Sequence, residues 1–294
     1  MTAVATVRRR RDRGSRFLVP AILILGVTSI YPTAYSIWMS FFDWDWGQRF
    51  NFVGIGNYLD LFANERFRTA LWNTIVFTVG AVSVELVIGL GLAVVVSSLG
   101  RGRGLIRTLM LVPLMVGGMI VSVIWKIMLD PSLGIVGTSL QALGLPPLGF
   151  LGDPGMAMAS IIMIDSWWQT AFVFIVLSAG LQALPIEPFE AAEVDGATAW
   201  QRFRFLTLPL LKPTILVVLM FRTVDCLKVF AIIFGTTGGG PLTTTESVQV
   251  LAYRMAFKQL NMSVSMTTMV VFSAFTLLVL LVYQRLLPTE ERAA

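Results

Sequence analysis

The sequence predicts an all-α integral membrane protein with six transmembrane helices, and three observations carry that prediction. Of its 294 residues 56% are hydrophobic and 13% charged, with a mean hydropathy of +0.78, whereas soluble chains carry about 25% charged residues. Apolar runs recur along the whole chain at the length a helix needs to cross a bilayer, roughly twenty residues at about 1.5 Å each. The basic residues sit mostly at the ends of those runs. There is no histidine and a single cysteine, Cys226, which leaves no zinc-finger spacing, no disulfide framework and no histidine base. The net charge of +5 does not read as nucleic-acid binding, because it forms no basic stripe with interleaved aromatics.

The six runs are residues 17–42, 70–97, 105–128, 156–181, 210–234 and 266–287. Residues 1–16 form a basic N-terminal segment, 17–287 the six-span domain, and 288–294 a short tail. The arginines before the first run imitate a secretory signal, but the run is too long and lacks a small-residue cleavage site, so it reads as an uncleaved span. With the N-terminus inside, fourteen basic residues fall on inner segments: Arg8, Arg9, Arg10, Arg11, Arg13, Arg16, Arg101, Arg103, Arg107, Arg202, Arg204, Lys212, Arg285 and Arg292. Five fall on the outer loops 43–69, 129–155 and 235–265, namely Arg49, Arg66, Arg68, Arg254 and Lys258. That bias places both termini in the cytoplasm. Trp44, Trp46 and Tyr58 in the first outer loop suit an interfacial belt.

Residues 182–209, continuing to Pro213, are patterned rather than merely connecting. Pro188 suits a first helical turn, Glu190 and Glu193 complement a helix N-terminus, and Gly196 can end that helix in the left-handed conformation. A second short helix follows, with Trp200, Phe203 and Arg204 on one face, and Pro209 and Pro213 are expected to break the chain before the fifth span. Such a pair fits a groove in another protein or lies flat on lipid headgroups.

The run Glu190-Ala191-Ala192, then Asp195-Gly196, then Leu206-Thr207-Leu208-Pro209 resembles the EAA motif of permease subunits of ATP-binding-cassette importers, with Leu206 where that pattern usually has Ile. Phe52-Val53-Gly54-Ile55-Gly56-Asn57-Tyr58, Asn73-Thr74, and Gly238-Gly239-Gly240-Pro241 with Thr244-Thr245 are similar to the carbohydrate branch, the maltose, trehalose and glycerol-phosphate permeases. The resemblance covers nearly the whole chain. It implies a type I importer permease fold in the cytoplasmic membrane. Its partners would be a second, homologous but different permease, two ATPase subunits and an extracytoplasmic binding protein. Glu190, Ala191, Ala192, Asp195, Gly196, Trp200, Phe203, Leu208 and Pro209 would form the coupling segment seated on the ATPase, and Gly238, Gly239, Gly240 and Pro241 an outer-loop contact. No Gly-x-x-x-x-Gly-Lys-Ser/Thr phosphate loop is present. The resemblance therefore implies that ATP and Mg belong to the partner ATPase and that this chain binds no cofactor.

Ionisable groups inside a bilayer cost about 2.5 to 3.5 kcal/mol each on insertion scales, so those retained face a cavity or a partner. Asp165 with Trp167, Trp168 and Gln169 in the fourth span, and Arg222, Asp225 and Lys228 in the fifth, form a candidate solute path. They read equally as internal ion pairs, Arg222 with Asp225 and Asp225 with Lys228. Glu85 has no adjacent basic residue; it reads as a protonated, helix-bonded acid or as a contact to the second permease. An intramembrane aspartyl protease built on Asp165 and Asp225 is disfavoured, since neither has the sequence context of such enzymes. No internal repeat supports a self-contained secondary transporter. The same architecture importing glycerol phosphate or another small solute is the main alternative to a sugar.

Overall fold

The structure, a computed structural model, describes residues 15–45, 49–99 and 102–286. Trp46, Arg101, Arg292, the arginines from Arg8 to Arg13 and the tail therefore lie outside the described residues. Among the described residues five helices are long and apolar enough to cross a membrane, and a bent helix pair gives a sixth when counted as one span.

The first span runs through α1 (Ser15–Leu25), a π-turn (Gly26–Ile30) and α2 (Tyr31–Met39). A hairpin of β1 (Phe42–Asp45) and β2 (Arg49–Phe52) follows, with Phe42 paired to Phe52. Asn57, on the short α3 (Gly56–Ala63), pins it by donating to the carbonyls of Ser40 and Phe42 at 2.9 and 2.8 Å. The second span, α4 (Glu65–Ser98), starts at an Asn64 cap whose side chain accepts from the amides of Arg66 and Phe67. The fourth span is α8 (Ala157–Gln182), and α4 packs along it as the central pair of the bundle. The last span is α14 (Met262–Leu286).

The third span is not the straight crossing expected over 105–128. It divides into α5 (Arg103–Leu111), a 3₁₀ turn (Pro113–Met115) and α6 (Gly118–Met128), with a bend of 92° between the halves. Pro113 and an extended Gly117 interrupt the helical ladder. The indole of Trp168 donates to the carbonyl of Val116 at 3.1 Å, satisfying a backbone acceptor at the break. α7 (Ile135–Ala142) then lies in the following connection. There the amides of Ser132 and Leu133 donate to Asp130 and hold its carboxyl below the usual carboxylate range.

The prolines expected to break the chain before the fifth span do not. α10 (Ala199–Arg202), a π-turn (Phe203–Thr207) and α11 (Leu208–Leu227) form one 29-residue rod. Proline lacks the amide that would bond four residues back. Both π-turns end two residues before a proline, Pro32 and Pro209, and close on five-residue bonds, Tyr31 to Gly26 and Leu208 to Phe203. The widened turn relieves the missing bond without ending the helix. At the other end the rod stops at Leu227, earlier than 234, and α12 (Ala231–Thr236) and α13 (Val248–Phe257) are separate helices.

Candidate functional site: a buried charge cluster between a helix lever and a braced loop

Arg222 lies between Val218 and Cys226 on the buried stripe of α11, so its guanidinium points into the bundle. Asp165 stands beside Ile161 and Ile164 on the buried face of α8, and Glu85 follows Ala81 and Val82 on that of α4. Gly89, one turn from Glu85, lets α4 and α8 close in: a Cβ there would sit 2.7 Å from the Val173 side chain. The three helices thereby bring one cation and several acids together.

Arg222 donates from Nε and Nη2 to both oxygens of Glu85, at 2.5 and 2.8 Å, and from Nη2 to Asp165 at 2.8 Å. Nη1 pairs with Asp225, and Nη2 lies 3.2 Å from the Cys226 sulfur. The side chains of Arg222 and Glu85 are 3% and 0% exposed, whereas Asp225 is 62% exposed. Glu85 is thus an ion-pair partner inside its own chain, which corrects the reading of an acid without one. The partner sits 137 residues away, beyond the reach of any spacing argument. Among the described residues no carboxylate lies within ion-pair distance of Lys228, so the expected Asp225–Lys228 pair does not form.

A ligand atom from each of Glu85, Asp165 and Cys226 falls within 4.8 Å of the others, a spacing that could hold a metal ion. The arrangement does not suit one, because Arg222 already donates to all three and puts positive charge where the ion would sit.

A cavity of about 270 Å³ opens beside the cluster, lined by Phe77, Asp165, Trp168, Gln169, Arg222, Asp225, Lys228 and Phe230 among others. Six of the seven expected path residues line it. Trp167 does not: it is half exposed and packs edge-on against Trp125 with ring centroids 5.5 Å apart. The cavity lining combines hydroxyl-bonding groups, Asp165, Gln169 and Arg222, with the aromatic side chains of Trp168 and Phe230.

Before α11, the patterned segment forms α9 (Glu187–Val194), with Pro188 in its first turn, then Gly196 at φ +75° and α10. The amides of Gly196 and Ala197 reach back to the carbonyls of Glu193 and Ala192, closing α9 with a left-handed cap. Thr198 and Gln201 form a capping box for α10. Arg202 pairs with Glu193 at 2.9 Å, so the two helices are braced against each other. The rings of Trp200 and Phe203 pack at a tilt with centroids 5.6 Å apart, and Glu190, Ala191, Asp195 and Trp200 stand exposed. Ala192, Phe203 and Leu208 are half-buried, while Pro209 is exposed.

After α12, Gly238 and Gly239 take φ of +61° and +96°, and Pro241 follows Gly240 through a cis peptide. The loop is fixed from beneath. Glu246, 1% exposed, accepts from Arg66 at 2.7 and 2.9 Å and from Arg254 at 2.5 Å. Arg254 also donates to the Gly238 carbonyl at 2.5 Å. Asn73 donates to the carbonyls of Thr243 and Glu246, and Thr74 accepts from the Val248 amide. Asn73-Thr74 and the glycine loop, separate features in the sequence, are thus one structure. The roles of Arg66, Glu246 and Arg254 are not legible in the sequence, because Arg66 lies 180 residues from Glu246 in a loop with several other charges.

A multi-pass helical bundle with an exposed, braced helix pair leading into its fifth span and an anchored glycine loop leaving it has the architecture of a type I importer permease. Residues 85–290 match the family described as binding-protein-dependent transport system inner membrane component, and the chain belongs to that family. It is 35% identical over 276 residues to the trehalose/maltose transport system permease protein MalF of Thermococcus litoralis, covering 92% of this chain and 94% of that one. It is 32% identical over 287 residues to the sulfoquinovosyl glycerol transport system permease protein SmoG of Agrobacterium fabrum, covering 95% and 93%. A chain in the crystal structure of a bacterial transporter that imports the polysaccharide alginate superposes with a TM-score of 0.82 at 24% identity, covering 92% and 93%, a likeness of fold.

Proposed function

We propose that this chain is the membrane-spanning subunit of an ATP-driven importer for a sugar or related polyol, with both termini in the cytoplasm. A homologous but different permease would complete the path, an extracytoplasmic binding protein would deliver the solute, and two ATPase subunits would use the ATP and Mg. The observation that carries the reading is the braced, exposed pair α9–α10, which continues without a break into α11. A push on that pair moves a rigid rod whose far half holds Arg222, so ATPase closure reaches the cavity wall directly. The names of the similar permeases, for trehalose or maltose and for sulfoquinovosyl glycerol, support a carbohydrate cargo. The cavity suits one: Asp165, Gln169 and Arg222 can bond hydroxyls, and Trp168 can face a sugar ring.

Uptake of labelled trehalose by cells expressing the complete importer tests the reading. Glu190→Lys and Gly196→Pro should leave the chain inserted yet abolish solute-stimulated uptake; full uptake in both variants would defeat the lever. A second reading, an anionic cargo such as glycerol phosphate, draws on Lys228, a cation lining the cavity with no carboxylate within ion-pair distance among the described residues. Under that reading Lys228→Gln weakens uptake of the phosphorylated solute and spares the neutral sugar.

A further inference from the structure

A second cavity, of about 380 Å³, lies at the end of the bundle that carries the helix pair. It is bounded by the end of α4 at Val94 and Ser97, the start of α5 at Arg103 and Arg107, the end of α8 at Leu181 and Gln182, and the entry to α9 at Ile186 and Phe189. Two features set it apart from an ordinary inter-helix gap.

The first is charge without compensation. Arg103 and Arg107 are its ionisable lining residues, and among the described residues no acidic side chain lines it. An arginine that only marks membrane orientation extends its guanidinium into water. Arg107 does otherwise: its Nε is buried without any hydrogen-bond partner, and Nη1 has a long 3.4 Å contact to Gln182. A buried donor left unpaired costs about 1 to 3 kcal/mol, more when charged, so the site is short of an acceptor. The second is the backbone. α5 starts at Gly102, at φ +84°, with no side-chain cap, and Arg103 in its first turn lines the cavity, so the positive end of the helix lies beside the two arginines. Such a set matches a phosphate group.

Beside Ser97, Gln182 and Thr207, the remaining lining residues, Val94, Leu181, Leu184, Pro185, Ile186 and Phe189, are apolar, and a free oxyanion would not use them. We propose that this cavity binds the phosphate of an anionic phospholipid, with Arg103 and Arg107 on the headgroup and the apolar wall on its glycerol and first acyl carbons. Because Ile186 and Phe189 belong to the lever, a bound lipid ties the root of α9 to the ends of α4 and α8. Only the identity of the leaflet rests on the proposed orientation.

The test uses the complete importer in nanodiscs of phosphatidylcholine with a minor fraction of phosphatidylglycerol, and counts retained lipids by native mass spectrometry. Wild type should retain phosphatidylglycerol selectively. Arg103→Gln with Arg107→Gln should reduce that retention about tenfold or more, at roughly 1 kcal/mol per arginine near the surface. Arg103→Lys with Arg107→Lys should restore most of it and shows that the fold is intact. Addition of inorganic phosphate should not displace the lipid; displacement would assign the same residues to soluble phosphate and overturn the lipid as ligand. Equal retention in wild type and the glutamine variant overturns the site itself.

Discussion

Arg222 is the residue on which the interior of the bundle turns. Its guanidinium makes four hydrogen bonds to carboxylates from three spans, two of those carboxylates buried, and no other cation among the described residues pairs with Glu85 or Asp165. Removing one partner of a buried ion pair leaves an uncompensated charge and costs about 3 to 5 kcal/mol. Arg222→Met should therefore lower the melting temperature of the purified importer sharply. Glu85→Gln, which leaves the guanidinium with Asp165 and Asp225, should cost less, on the order of 1 to 3 kcal/mol. A melting curve for Arg222→Met that overlays wild type would show that the cluster carries no stability. Asp225, mostly exposed at the cavity, is the member that a solute on the proposed path would displace without uncovering a buried carboxylate.

At the scale of the element, close packing of the broken third span decides what can change. Gly235 on α12 faces α6 so closely that an added Cβ would lie 1.8 Å from Ser122 Oγ and 2.8 Å from its Cβ. Gly91 on α4 has nothing within 4 Å of that position. Gly235→Ala should destabilise by about 1 to 3 kcal/mol through overpacking, with partial rescue by Ser122→Gly, whereas Gly91→Ala should stay within about 0.5 kcal/mol. Thermal unfolding of the three variants in detergent measures both statements. The elements themselves were largely legible: Pro188, Gly196 and the acids of α9 act locally, and local chemistry is what a sequence displays. The breaks were less so. Pro209 reads as a stop, but whether it ends a helix depends on a π-turn that costs nothing visible in the sequence, and the bend at Gly117 depends on Trp168 covering the carbonyl of Val116, fifty-two residues before it. The six path residues that do line the cavity could be picked from chemistry alone, Asp165, Gln169, Arg222, Asp225 and Lys228 by intramembrane polarity and Trp168 by its aromatic ring. Glu85, which meets the same criterion, could not be joined to them because a helix-spacing rule sees only neighbours three or four residues away.

At the scale of the whole molecule, the reading requires the helix pair and the glycine loop to face opposite compartments, since α11 alone separates them as it crosses. Two exposed tips make this measurable: Val194 at the end of α9 is 88% exposed, and Leu242, on the loop at φ +49°, is 85% exposed. Cys226, the chain's one cysteine, is 2% exposed and sits against Arg222, so it can stay in place with little background. With Leu242→Cys, a membrane-impermeant maleimide should label right-side-out cells washed free of binding protein, and should fail to label sealed inside-out vesicles. Val194→Cys should give the reverse, reacting in inside-out vesicles stripped of peripheral subunits and losing reactivity when the ATPase is added back. Labelling of both cysteines from one side would mean that α11 does not cross, and a lever on one face could then have no rod through which to move the cavity.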